Sequence, residues 1–487
     1  MSASTAPTAT REPAGLAAQL ARLPRAFWML NTMEMLERLA YFGVRVVIPI
    51  YIAQADEPLG LHFTMLQKGS IFMWWALVQT GVPIFSGGFA DRYGYKKTVA
   101  ISIAIKVAGY LLMATQRSYA GFMSGCLVLA FGTAIFKPGI WGSLLRTLNE
   151  RNSSIGWGMF YMLVNIGGFL GPPLAHWLYG VSWPAVFYGC AVIVSLNFLM
   201  LFTYPTIDSG GATSGGVLRV ATNTFRHLFR PRLFTFILIM SGFWLMFMQL
   251  FDMLPNFIVD WVDSSSIVRA LHLPAMFTTV TPRGVMVAQE WMINLDSLLI
   301  VLLVVWVSHR VARMRRVISI FAGILVASVG LLGAGFTMSG LLCILGILCF
   351  AVGEMLSSPK MYDYLGVIAP EGEKALYMGY ANMPTAIGWA YGSFLGGELY
   401  DRMGDKANLA LRWLSDHGGV AAGVDRTNAL TTMQRIAGLD AARATRVLWA
   451  QYHPYRLWYP FAAVGLASAI AIFFYARWIG SDESPQP

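Results

Sequence analysis

The chain has 487 residues, of which 56% are hydrophobic and 12% are charged, and its mean hydropathy is +0.56. Soluble domains carry about 25% charged residues, so this composition excludes an ordinary soluble domain and predicts a protein that crosses a membrane many times. The formal net charge of +10 is expected to come from Lys and Arg in cytoplasmic loops and not from a nucleic-acid-binding surface.

Apolar segments recur along the chain, and each has about the length that a helix needs to cross a bilayer, which is roughly 20 residues. Six of them precede a long polar stretch and six follow it. The segments cover residues 27–54, 66–90, 98–115, 119–146, 155–180, 183–204, 232–262, 289–309, 315–337, 339–369, 372–400 and 455–478. The sequence therefore predicts an all-α membrane protein with 12 transmembrane helices in two six-helix halves.

The predicted organisation is a lead (1–24), a first six-helix bundle (25–204), a linker (205–231), a second six-helix bundle (232–480) and a tail (481–487). Lys and Arg concentrate in alternate loops, which places the lead, the linker and the tail in the cytoplasm. We expect a multi-pass protein of the cytoplasmic (inner) membrane with both termini cytoplasmic. The hydrophilic run 401–455 is then outside, where its apolar spacing predicts amphipathic helices lying over the outer face.

The first apolar segment contains several charged residues on one face. Glu34, Glu37, Arg38, Tyr41 and Arg45 lie at offsets 0, 3, 4, 7 and 11, which form one stripe of a helix with 3.6 residues per turn. Charges inside a membrane are costly and usually face a cavity. The stripe is either a site where acids and bases exchange partners as protons and substrate bind, or a structural ion-pair cluster that holds two helices together.

Two further charges lie deep in apolar segments. Lys137, in the fourth segment, needs an anion or must lose its proton, and the candidate anions are Glu34, Glu37 and a substrate carboxylate. Glu354, in the tenth segment, is suited to bind an ammonium group or is a neutral, hydrogen-bonded core residue.

The sequence has no sign of catalytic or metal chemistry. Its four cysteines all lie in apolar segments, with no spacing typical of metal ligands. It has no nucleotide-binding loop and no arrangement of a nucleophile with a base. We therefore predict no metal, no cofactor and no enzymatic activity.

Seven motifs, taken in chain order, resemble known signatures. The second, a loop, resembles a motif of the major facilitator superfamily, and the other six resemble signatures of the proton-dependent oligopeptide transporter family, which is part of that superfamily. The seven motifs are Glu34-x-x-Glu37-Arg38 with Tyr41-Phe42-Gly43, the loop Gly87-x-x-x-Asp91-Arg92-x-Gly94, Phe136-Lys137-Pro138, Phe160-Tyr161 with Asn165, Phe243-Trp244 with Gln249, Asn294, and Gly353-Glu354 with Ser358-Pro359.

The resemblance implies a role for each matched residue. It implies proton coupling through Glu34, Glu37, Arg38 and Lys137, to which we add Asp252 as a candidate for an acid that the family has on the seventh helix. It implies substrate binding by Arg45, Tyr41, Lys137, Asn165, Gln249, Asn294 and Glu354. It implies a gating motif that includes Gly87, Asp91, Arg92 and Gly94.

One position departs from the family pattern. The family has an acid on the seventh helix that pairs with the first-helix Arg, here Arg45, but this chain has Met248 at that position. Asp252, one turn further along, and Asp296 on the eighth helix are the candidates to replace it.

The function implied by the resemblance is proton-coupled uptake of di- and tripeptides by alternating access. We expect a monomer in the bilayer that uses protons as the coupling ion. Two alternatives stay open: the same fold carrying an organic anion, a peptide-like drug or a nitrate-like ion, and a non-transporting receptor or scaffold that binds a partner through residues 401–455.

Overall fold

The computed structural model describes residues 23–148, 153–207, 228–311, 314–369, 380–418 and 423–479. Within these ranges it describes only the backbone at residues 84–89, 91–92, 153–155, 158, 305 and 308–309. The termini and most of the predicted linker lie outside the described residues, so the division into a lead, bundles, a linker and a tail stays a prediction.

The described residues form twelve long helices, which confirms the predicted all-α class. The first six are α1 (Arg25–Ala53), α2 (Met65–Tyr93), α3 (Tyr95–Thr115), α4 (Tyr119–Thr147), α5 (Ser153–Tyr179) and α6 (Trp183–Leu201). The last six are α7 (Pro231–Phe247, continued by Gln249–Asp252 and Leu254–Trp261), α8 (Gln289–Val311), α9 (Arg316–Gly335), α10 (Gly340–Ile368), α11 (Asn382–Met403) and α12 (Trp458–Ile479).

Seven of the described helices are long and apolar enough to cross a membrane by length and composition alone. They are Tyr95–Thr115, Tyr119–Thr147, Trp183–Leu201, Pro231–Asp252, Arg316–Gly335, Gly340–Ile368 and Pro454–Ile479. α1 falls short of this criterion because it contains the charged stripe, which the structure buries inside the protein, away from lipid.

Helix boundaries follow from local sequence. Thr64 begins α2 with a capping box, in which its hydroxyl accepts the Gln67 N–H and the Gln67 side chain accepts the Thr64 N–H. Ser118 and Ser182 cap α4 and α6 in a similar way. Gly94 separates α2 from α3 with a φ of 90°, a conformation that glycine adopts without strain.

The segment between α7 and α8 contains structure that the sequence did not predict. A short helix (Ser265–Leu271) precedes a hairpin of β1 (Thr278–Thr281) and β2 (Gly284–Val287). The strands have four residues each, which is too short for a hydrophobic pattern to identify them.

Three short helices, Lys406–Asp416, Ala429–Ala437 and Ala441–Tyr452, follow α11 and cover one end of the bundle. They lie where the sequence predicted amphipathic helices. The Trp261 indole donates to the Gly404 carbonyl at 2.9 Å, and the Trp449 ring lies 6.0 Å from the Phe257 ring. We call this end, where α1 ends at Ala53, the capped end.

Candidate functional site

The charged stripe on α1 divides into two groups, and the first is a cluster around Glu37. Arg38 pairs with Glu37 and lies 3.3 Å (Nε to Oε1) from Glu34. A second cation, Lys106 of α3, lies 3.3 Å from Glu37, from its Nζ to Oε1. Glu37 thus has two cationic partners and Glu34 has one. All four residues are buried.

The sequence analysis did not identify Lys106. It is the cationic partner of Glu37, a role that we predicted for Lys137. Among the described residues Lys137 has no ion pair within 4.0 Å, although Glu34 and Glu37 act on it electrostatically. Lys106 is the only charged residue of α3 beyond its first turn, and this was the signal in the sequence.

Tyr41 belongs to a hydrogen-bonded chain between α1 and α2. Its hydroxyl accepts from the Gln79 amide at 3.0 Å, and Gln79 in turn accepts from the Trp75 indole at 2.7 Å. The Arg38 guanidinium lies 5.0 Å from the centre of the Tyr41 ring, which joins this chain to the charge cluster.

The second group of the stripe is Arg45. It forms a buried ion pair with Asp252, which connects the first half of the protein to the second. The Asp252 carboxylate also accepts from the Ser393 hydroxyl at 2.5 Å and from the Trp389 indole at 3.2 Å. The Phe72 ring lies 4.5 Å from the guanidinium carbon. The position of Met248 is thus left apolar, and Asp252 is the acid that faces Arg45.

A layer of polar contacts continues from this pair toward the capped end. The buried Lys68 ammonium donates to the Asp252 carbonyl at 2.8 Å and to the Asn256 side chain at 2.7 Å. Further out, the Gln54 amide donates to Asp260 at 2.9 Å. These contacts join α1 and α2 to the two short helices that continue α7.

A second set of contacts joins α5 to α8. His176 and Glu290 form an ion pair when the imidazole is protonated, and the Tyr179 hydroxyl donates to the same carboxylate at 2.9 Å. The Asn294 amide donates to the Phe169 carbonyl at 2.8 Å, so Asn294 connects the halves directly.

α2 and α11 also approach each other closely at this end. A Cβ on Gly397 would lie 2.5 Å from the Met65 carbonyl, so a larger residue there would force the helices apart. Many hydrogen bonds join the halves in the part of the bundle from Asn294 to the capped end. This end is therefore closed.

Two predicted substrate ligands make packing contacts. Gln249 is fully buried and donates to the Leu245 carbonyl, and a Cβ on Gly392 would lie 2.7 Å from its amide nitrogen. Asn165 donates to the Tyr161 carbonyl one turn back on α5, at 2.7 Å. Gln249 thus fills the α7–α11 contact, and only Asn165 keeps part of its surface open.

Glu354 lies on α10 without a basic partner among the described residues. Its Oε2 atom is buried and makes no hydrogen bond there. The charged groups that act on it include Asp296 of α8, which we had considered as a partner of Arg45. Asp296 is thus close to another acid, and Arg45 pairs with Asp252 instead.

Comparison with known proteins decides the family. A sequence model of the Major Facilitator Superfamily matches residues 32–393. The chain belongs to this superfamily. It is similar to the multidrug resistance protein MdtH of Edwardsiella ictaluri, with 23% identity over 381 residues that cover 76% of this chain and 86% of MdtH.

Solved structures of superfamily members share the fold. A POT family transporter in complex with 5-aminolevulinic acid has a TM-score of 0.63 and 16% identity, and the match covers 89% of this chain and 97% of that one. A mutant of the nucleoside transporter NupG has a TM-score of 0.66 and 13% identity, covering 93% and 100%. The chain is therefore an integral membrane transporter and not an enzyme.

The loop motif that superfamily members share begins in the last turns of α2. The side chains of Asp91 and Arg92 lie outside the described residues, so their predicted gating role stays a prediction. Gly87 lies inside α2, and Gly94 forms the turn to α3.

This superfamily member has a cavity of about 420 Å³ at its capped end, roofed by the β1–β2 hairpin. Its lining includes Gln54, Glu57, Tyr179, Trp183, Arg283 and Glu290. Burial raises the pKa of Glu57 to about 7, and the carboxylates of Asp56 and Glu290 act in the same direction. The Trp183 indole donates to Glu57 at 2.9 Å and acts in the opposite direction.

Because the pKa of Glu57 is raised, we expect this end of the protein to become less stable at high pH. The folded protein keeps this proton up to about pH 7, whereas the unfolded chain loses it near its ordinary pKa of 4.5. The stabilisation is thus complete below about pH 4.5 and is lost as the pH rises through about 7, with an upper limit of about 3 kcal/mol.

Thermal unfolding in detergent at about pH 5 and about pH 8 tests this expectation. At the higher pH we expect Glu57→Gln to unfold at a higher temperature than the wild type. We also expect its unfolding temperature to fall less than that of the wild type between the two pH values. Asp440→Asn, at an exposed surface pair, is the control and should behave as the wild type does. Equal pH dependence of Glu57→Gln and the wild type would contradict the assignment.

Proposed function

We propose that this protein takes up small peptides together with protons by alternating access. The observation that carries the proposal is the distribution of buried charge. A peptide has a carboxylate at one end and an ammonium group at the other. The first half contributes Arg38, Lys106 and Lys137 near the middle of the bundle, and the second half contributes Glu354.

This distribution suits a ligand that contacts both halves. A peptide whose carboxylate binds the cations of the first half, and whose ammonium binds Glu354, would bind most tightly when the halves are close together. Such differential affinity is what converts binding into a conformational change. Recognition of the two ends leaves the side chains unconstrained, so we expect several dipeptides to be accepted.

Proton coupling is assigned to Glu37, with Glu34 as its exchange partner. In the described state Glu37 has Arg38 and Lys106 as partners. When Glu37 takes a proton, Arg38 retains Glu34 and Lys106 loses its counter-ion, which makes Lys106 available to the substrate carboxylate. Loss of the proton restores the Lys106–Glu37 pair and displaces the peptide.

The transport cycle requires a gate on each side of the site. The Arg45–Asp252 pair and the layer beyond it form the gate at the capped end. We assign this end to the outer face of the cytoplasmic membrane, with both termini in the cytoplasm and the protein acting as a monomer. The described state is then closed to the outside.

The names of relatives support the proposal and also a second candidate. Solved POT family structures of similar fold contain a thioalcohol-conjugated peptide and, in another case, alafosfalin. The curated relatives are named multidrug resistance proteins, which favours transport of another organic solute as the alternative.

Competition for uptake separates the two candidates. We would measure uptake of labelled dialanine into proteoliposomes in the presence of unlabelled dialanine or N-acetyl-dialanine, which lacks the ammonium group. We expect only the free peptide to compete, because Glu354 binds the ammonium. Equal competition by both, or transport that Glu354→Gln leaves unchanged, would favour a solute without an ammonium group.

A further inference from the structure

The second half contains a buried acid, Asp296, close to the Glu354 that is proposed to bind the peptide ammonium. Asp296 is only 2% exposed, and its Oδ1 atom has no hydrogen-bond partner among the described residues. The same holds for Oε2 of Glu354, on which Asp296 acts electrostatically. The buried Asp296 and the partly buried Glu354 thus lie near each other, and each has a carboxyl oxygen without a hydrogen-bond partner among the described residues.

No cation among the described residues compensates these acids. Neither Asp296 nor Glu354 has a Lys, Arg or His nitrogen of a described residue within 4.0 Å, although ion pairs involve every other acid of the central helices α1 and α8. An unpaired buried charge is costly, and a cationic ligand would remove that cost. The position of the pair therefore points to a ligand.

Aromatic rings lie near these acids on both halves. Tyr161 of α5, on the first half, interacts electrostatically with both carboxyl groups and is 45% exposed. Tyr362, on the same helix as Glu354, is 40% exposed and is also within reach of Tyr161. Faces of aromatic rings attract cations, so these exposed rings add to the attraction of the acids.

A count of charges indicates how many cations the ligand has. The second half offers two carboxylates. A neutral dipeptide has one ammonium and leaves one acid without a counter-ion, whereas a dipeptide with a basic side chain neutralises both.

We propose that Asp296 and Glu354 together form a subsite for two cationic groups, so that the preferred substrates are dipeptides with a Lys or Arg side chain. This inference rests on the proposed function for the peptide part of the ligand. Glu354 takes the terminal ammonium, and Asp296 takes the cation of the side chain. Asp296 is thus the residue that determines specificity.

Ligand-induced thermal stabilisation of the purified protein in detergent measures this preference, because a ligand that binds only the folded state stabilises it according to its dissociation constant. We expect alanyl-lysine to bind the wild type about tenfold more tightly than dialanine, as one additional hydrogen-bonded charge pair predicts. Asp296→Asn should remove this preference and keep dialanine binding. Asp440→Asn, at the exposed pair with Arg443, should retain the wild-type preference.

Simple amines separate failure of this inference from failure of the peptide proposal. If neither peptide binds the wild type, we would compare 1,5-diaminopentane with pentylamine, which have equal chains and differ by one ammonium. Preference for the diamine that Asp296→Asn abolishes would support the two-cation site without peptides. Equal binding of mono- and dications to the wild type, or a preference that survives in Asp296→Asn, would overturn it.

Discussion

Replacing Glu37 by Gln is expected to abolish accumulation of peptide against its gradient while preserving exchange of peptide across the membrane. Gln has nearly the same shape as Glu but cannot alternate between charged and neutral forms, so Lys106 and Arg38 would no longer change partners. One charge that moves with the substrate through 100 mV supplies about 2.3 kcal/mol, which corresponds to roughly fifty-fold accumulation. We expect the variant to reach a ratio of internal to external peptide concentration of about one instead.

Two further variants make this result specific. The double variant Glu37→Gln with Lys106→Gln keeps the charge balance of the cluster but removes the cation proposed to bind the substrate carboxylate, so it should exchange peptide more slowly than Glu37→Gln alone. Glu398→Gln removes an exposed acid that pairs with Arg402 and should accumulate peptide normally. Full accumulation by Glu37→Gln would remove this residue from the coupling mechanism.

Replacing Asp252 by Asn is expected to open the capped end. The change leaves the buried Arg45 guanidinium without its counter-ion, and losing one partner of a buried ion pair costs about 3–5 kcal/mol. A shift of that size changes the ratio of closed to open protein by a factor of at least about 100. Cys introduced at buried Ala76, in a background without the native cysteines, would report opening through its reaction with a membrane-impermeant maleimide.

We expect the Asp252→Asn protein to react with the maleimide at least about tenfold faster than its parent from the capped side. The charge-swapped variant Arg45→Asp with Asp252→Arg restores an ion pair and should recover part of the protection. Asp440→Asn serves again as the control, because it removes a pair whose side chains are more than half exposed. Unchanged reactivity of Asp252→Asn would mean that the pair does not hold this end closed.

Much of the fold could be predicted because apolar runs separated by charged loops identify membrane helices. The predicted segment 119–146, for example, corresponds to α4 at Tyr119–Thr147, and 183–204 to α6 at Trp183–Leu201. The hairpin Thr278–Val287 could not be predicted, since its strands are short and acquire their role only by roofing a cavity between the halves.

The site was predictable to the extent that one helix face determines it. The spacing of Glu34, Glu37 and Arg38 on α1 was sufficient to place them together. The partners from other helices depend on how each helix is rotated, and the sequence alone does not determine this. For that reason Lys106, and not Lys137, pairs with Glu37 in the described state.

Polar residues near helix ends were the hardest to interpret. Lys68 and Glu290 lie in the first turns of α2 and α8, where charged residues are commonly at a membrane surface. The structure buries both of them between the halves. The sequence predicted helices over this end, but it did not predict the hairpin or the contacts between the halves that bury Lys68 and Glu290.

Uptake of labelled dialanine by the wild-type protein in proteoliposomes tests the proposed function most directly. We would impose an inward proton gradient with a negative potential inside, and compare it with the same vesicles after a protonophore has collapsed both. We predict accumulation above the external concentration that the protonophore abolishes. Correctly inserted protein that equilibrates dialanine without accumulation, or does not transport it, would contradict proton-coupled peptide uptake.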